Sequence, residues 1–162
     1  MQARMILPLM LGMLVLPVFP QDEPPPTTGD TSEASDYIAE LRSKAEQGDA
    51  DAQFNLGFMY FLGEAIPLDY KEAFRWYRAS AVQGNSSAQG SLGAMYRAGL
   101  GLPQDYILAH MWYNLAVANS ELDQERNIWA KNRDATAKKM TSEQLAEAQR
   151  LAREWKPKTG SQ

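Results

Sequence analysis

Residues 45–80 read AEQGDADAQFNLGFMYFLGEAIPLDYKEAFRWYRAS, and residues 81–116 read AVQGNSSAQGSLGAMYRAGLGLPQDYILAHMWYNLA. Laid over one another without a gap, the two stretches agree at 16 of 36 positions. The shared positions include Gln53/Gln89, Leu56/Leu92, Gly57/Gly93, Tyr60/Tyr96, Gly63/Gly99, Asp69/Asp105, Ala73/Ala109, Trp76/Trp112 and Tyr77/Tyr113. Self-similarity at a fixed period of this size marks a tandem array, in which each supersecondary unit buries its apolar face against the next.

Each copy reads as two antiparallel helices. Ala52, Leu56, Met59 and Tyr60 recur at helical spacing and form one apolar stripe. Gly63 is placed to end that helix in the left-handed conformation, and Asp69 to start the next one as its cap. Ala73, Trp76, Tyr77 and Ala81 then mark the buried face of the second helix. Gly57 and Gly93 fall in mid-helix, where glycine costs about 1 kcal/mol relative to alanine. Their place is explained if the Trp/Tyr helix of the same pair approaches closely there, with Ala52, Ala73, Ala88 and Ala109 serving the same approach.

The flanks complete an all-α stack of about seven helices. Residues 35–47 read as a cap helix, 48–83 and 84–119 as the two repeats, and 120–156 as a degenerate repeat and C-terminal cap. In that last segment Ile128 falls on the register of Leu56 and Leu92, while the position of Gly57 becomes Trp129. Thr141 and Gln144 have the spacing of a capping box before a final helix carrying Leu145, Ala148, Ala152 and Trp155. Residues 157–162 form a polar tail.

Ahead of the array, residues 1–20 read as an export signal, with Arg4 followed by an apolar run from Met5 to Leu16. That run is shorter than the roughly 20 apolar residues of a spanning helix. Val18-Phe19-Pro20 lacks the small-x-small pattern of a cleavage site, so the alternative is an uncleaved apolar tail. Residues 21–34, with three consecutive prolines and several acids, read as a disordered linker. The expected destination is the periplasm, with membrane contact only through an uncleaved N-terminal segment.

The combined pattern A-x-x-G-(x)3-A-Q-x-x-L-G-x-x-Y-x-x-G, followed by D-(x)3-A-x-x-W-Y, resembles the Sel1-like repeat family. Sel1-like repeats are relatives of tetratricopeptide repeats, and the 36-residue period favours the former. The resemblance implies an α-solenoid, a right-handed superhelix of helix pairs, and a role in protein–protein interaction within bacterial envelope or signalling assemblies. It also implies an alternative, a cell-wall- or β-lactam-directed hydrolase or binding protein like the cysteine-rich members of the family. This chain departs from those members, having no cysteine and no Ser-x-x-Lys motif in its folded body.

Composition narrows the chemistry. The missing cysteines exclude disulfides, thiol catalysis and iron–sulfur clusters, and a single histidine, His110, argues against a His-rich metal site on numbers alone. A net charge of −4 argues against a nucleic-acid binder. No cofactor, metal or catalytic residue is expected. Asp69 and Asp105 are accounted for as helix starts and Asp49 and Asp51 as first-turn residues, while His110 is expected to be a partly exposed helix residue.

Positions where the copies differ are free of the shared core. On the first helix these are Asp51, Phe54, Asn55, Phe58 and Phe61, answered by Ser87, Gly90, Ser91, Ala94 and Arg97. In solenoids of this kind the first helices line a concave groove. One reading makes Phe54, Phe58 and Phe61 an apolar anchor for a protein or peptide partner, with Asn55 and Arg97 adding polar contacts. The other has the 35–47 helix cover them. Charge is also uneven: residues 35–125 hold 12 acids and 6 bases, and residues 126–162 hold 9 bases and 4 acids. The basic end reads either as a contact for an anionic partner or as the solvated face of the terminal helices.

Overall fold

The computed structural model describes residues 31–157. Within them seven α-helices follow one another: α1 Thr31–Glu46, α2 Ala50–Leu62, α3 Tyr70–Ala81, α4 Ser86–Ala98, α5 Tyr106–Asn119, α6 Asp123–Ala137 and α7 Ser142–Glu154. No strand occurs among the described residues. The cap helix therefore begins at Thr31, ahead of the expected residue 35. The export segment and most of the linker lie outside the described residues.

Helix limits follow from cap chemistry. Asp49, Asn85 and Asp105 each accept a hydrogen bond from a backbone N–H in the first turn of α2, α4 and α5, and Asp69 accepts two at α3. Asp49 is thus an N-cap rather than a first-turn residue. Gly63 and Gly99 close α2 and α4 at φ 70° in each case, and their N–H groups reach Met59 O at 2.9 Å and Met95 O at 2.8 Å. Thr141 and Gln144 exchange both bonds of the capping box at α7.

Packing proceeds pair by pair. α2 lies against α3 and α4 against α5; α1 covers α2, and α3 joins the pairs by contacting α4. A Cβ on Gly57 would stand 2.8 Å from Tyr77 Cδ1, and one on Gly93 2.8 Å from Tyr113 Cδ1. Only a bare Cα admits these fully buried rings, which justifies glycine in mid-helix. α1 seals Leu56 and Trp76 with Leu41 and Ala45. A larger core runs from Phe54 and Tyr77 through Leu92 and Met95 to Trp112 and Leu115.

The C-terminal end departs from the repeat. α6 and α7 both dock on α5 instead of forming a close third pair. On α6 the buried aromatic is Trp129, 2% exposed, stacked 6.1 Å from Tyr113. Ile128, expected in the core register, is only half-buried. At the C-cap of α7, Trp155 meets Trp112 edge to face at 6.1 Å, beside Leu151 and Ala152.

Candidate functional site

The first-helix face of the two pairs is held by polar bonds that recur with the repeat. Gln53 Nε2 donates to Ala45 O at 3.0 Å, and Gln89 Nε2 donates to Ala81 O at 3.1 Å. Each glutamine thus satisfies a carbonyl near the end of the preceding helix. Each also accepts through Oε1, Gln53 from Gln83 at 2.8 Å and Gln89 from Asn119 at 2.9 Å. The identity of these glutamines in both copies was visible in the sequence, but their partners depend on how neighbouring helices dock.

The positions expected to line a groove divide into three groups. Phe54, Asn55 and Ser91 are corrections, being 4%, 7% and 6% exposed. Phe54 packs 5.7 Å from Tyr77 and 6.4 Å from Phe58, toward the core shared with α4 rather than under α1. Asn55 is enclosed with no hydrogen-bond partner for Oδ1, and Ser91 donates to Ser87 O in its own helix at 2.8 Å. Asp51 and Ser87 reach the surface but are engaged: Asp51 accepts from Asn85 at 2.9 Å, and Ser87 donates to Glu125 at 2.6 Å. Phe58, Phe61, Ala94 and Arg97 remain half-buried, with Phe58 resting on Phe54 and Phe61 on Tyr70 at 5.4 Å.

Gly90, the counterpart of Phe54, explains the missing ring. A Cβ on Gly90 would stand 2.3 Å from Trp129 Cε2, so the indole of α6 fills the space that a phenylalanine occupies in the first copy. Glu125 is a second feature that the repeat pattern did not disclose. It is 8% exposed, and its carboxylate accepts from Ser86 and Ser87 at 2.9 and 2.6 Å, at the N-terminus of α4.

The Sel1 repeat family model matches residues 50–85 and 86–120. The chain carries two Sel1 repeats. A solved protective antigen present in uropathogenic Escherichia coli strains, displaying an SLR fold, is similar at 34% identity and TM-score 0.71. That likeness covers 79% of this chain and 27% of the antigen. A Sel1 repeat protein from Oxalobacter formigenes is similar at 29% identity and TM-score 0.51, over 63% of this chain and 47% of that one. This chain therefore spans less than half of either protein. No curated protein matches it.

The Sel1 pair is an α-solenoid, and proteins of this repeat family generally act as scaffolds that bind protein partners. Its internal tyrosines are structural. Burial pushes the Tyr113 phenol up to about 12, against the opposing pull of nearby Arg97, and pushes Tyr77 higher still, with Ser91 opposing. Although Arg97 and Ser91 lie beside them, neither hydroxyl makes a hydrogen bond of acceptable geometry. His110 is a correction: it is 3% exposed, because α6 and α7 close around α5 where the first copy carries the half-buried Phe74. Among the described residues no group of His, Cys, Asp and Glu is arranged to hold a metal ion. Nor is any described helix long and apolar enough to cross a membrane.

Proposed function

We propose that the chain is an exported, non-enzymatic adaptor whose Sel1 repeats hold a protein or peptide segment against Phe58, Phe61, Ala94 and Arg97. The observation that carries this reading is where the two copies differ. Core residues such as Leu56/Leu92, Gly57/Gly93 and Tyr77/Tyr113 are identical, whereas the half-buried pairs Phe58/Ala94 and Phe61/Arg97 diverge. Packing fixes the first set on every side and the second only in part, so freedom to specialise lies in the second. Phenylalanines on the first repeat and an arginine on the second suit a segment with an apolar anchor and an acceptor group. The Arg4-led apolar segment supports export.

The test is crosslinking mass spectrometry on the full chain in bacteria, comparing native protein with Phe58→Ala and Arg97→Ala. Expected are crosslinks from the first helices to one partner, lost in both variants while circular dichroism stays native. A partner captured equally by all three proteins would refute the binding face. Fractionation of the same cells tests export, and retention of all the protein in the cytosol would refute it.

A further inference from the structure

A cleft of about 520 Å³ opens between α5, α6 and α7, away from the Phe58–Arg97 face. That volume lies in the usual range of small-ligand sites. Its origin is the departure from the repeat: α6 is fixed to α5 through Trp129 on Tyr113, and α7 through Trp155 on Trp112. The two helices therefore grip different faces of α5, leaving a wedge above His110, Asn114 and Ala118, which succeed one another at four-residue intervals.

The wedge is chemically organised. Arg133 Nη1 donates to Asn114 Oδ1 at 3.4 Å, and Asn114 Nδ2 lies 3.2 Å from His110 Nδ1. The arginine orients the amide oxygen toward itself, so the amide nitrogen must donate to Nδ1. That places the imidazole proton on Nε2. Burial, and then Arg133, hold the His110 imidazole below its ordinary value against Asp134, so it is a neutral donor at neutral pH. Nε2 has no hydrogen-bond partner among the described residues, and His110 lines the cleft. Arg153 lines the same cleft, also without an ion-pair partner among the described residues. Arg133 and Arg153 contribute two positive charges and Asp134, paired with Arg133 at 2.8 Å, one negative charge. The rest of the lining is largely apolar, with Leu115, Leu145 and Ala152.

We propose that this cleft binds a carboxylate carried on an apolar stem, with Arg153 and His110 Nε2 receiving the carboxylate and the leucines receiving the stem. The residual charge of one favours a monoanion over a phosphate dianion, and a guanidinium fork matches a carboxylate in two parallel bonds. The stem is either that of a free aliphatic acid or the last residue of a peptide chain. The site is independent of the adaptor face.

Since His110 is the sole histidine, its ring signals in NMR spectra of the full chain report this cleft without ambiguity. The probes are octanoate with octanol as its uncharged control, and acetyl-Ala-Ala-Leu with its C-terminal amide. At least one acid is expected to shift the His110 ring signals to saturation, while its uncharged control does not. Octanoate alone assigns a free acid, the peptide alone a chain end, and both together the shared chemistry. Arg153→Gln, an exposed substitution, is expected to weaken binding at least tenfold with the fold unchanged. No saturable shift from either acid, equal shifts from the uncharged controls, or undiminished binding by Arg153→Gln would overturn the proposal, without bearing on the Phe58 and Arg97 test.

Discussion

Glycine identity in this chain is decided by the ring that sits above it. Gly57 and Gly93 accept Tyr77 and Tyr113 of their own pairs, and that relation was readable from the repeat because both members recur together. Gly90 differs, since it accepts Trp129 from a helix outside the matched repeats. Nothing in the spacing of residues 90 and 129 announces that contact, and the Phe54/Gly90 difference therefore looked like a binding position instead of a packing exchange. Gly90→Ala is expected to destabilise the fold by about 1–3 kcal/mol through overpacking against a rigid indole. In a Trp129→Ala background the same change should be neutral, or stabilising by up to about 1 kcal/mol as helix propensity takes over. Urea unfolding of the four proteins measures this coupling; simple additivity would show that the indole and Gly90 do not compete for space.

Among the elements, α1 to α5 were legible and the docking of α6 and α7 was not. Caps and apolar stripes are local, so Asp69, Asp105, Gly63, Gly99 and the Thr141–Gln144 box placed helix ends within a few residues. A buried charge such as Glu125 has no local signature. It reads as an ordinary first-turn acid of α6 until α6 meets α4 and the carboxylate receives Ser86 and Ser87. This contact joins the terminal helices to the second repeat at a helix N-terminus, where negative charge is favoured. Glu125→Ala should cost about 1.5–3 kcal/mol, the range for hydrogen bonds to a charged group. The urea midpoint should fall with the slope of the transition retained, since the surface exposed on unfolding is unchanged. An unaltered midpoint would mean that water serves Ser86 and Ser87 equally well.

At the scale of the molecule, each repeat packs around a phenol that the solvent does not reach, Tyr77 in the larger core and Tyr113 in a smaller one shared with Trp129. Tyr77 and Tyr113 occupy equivalent places, 1% and 0% exposed, and each closes its own pair through the same ring-on-glycine contact. An unfolded tyrosine ionises near 10, whereas Tyr113 is held to about 12 and Tyr77 higher. The folded chain keeps protons that the unfolded chain surrenders. This contribution to stability is therefore whole below about pH 10 and is lost as pH rises toward and through the folded values. The urea midpoint of the native protein should fall more steeply above pH 10 than that of a Tyr77→Phe/Tyr113→Phe variant. At pH 7 each phenylalanine should cost less than about 1 kcal/mol, because neither hydroxyl has a hydrogen bond to lose. Identical alkaline slopes in the two proteins would show that these phenols ionise as freely inside the solenoid as outside it, and that the stack opens to water far more readily than its packing implies.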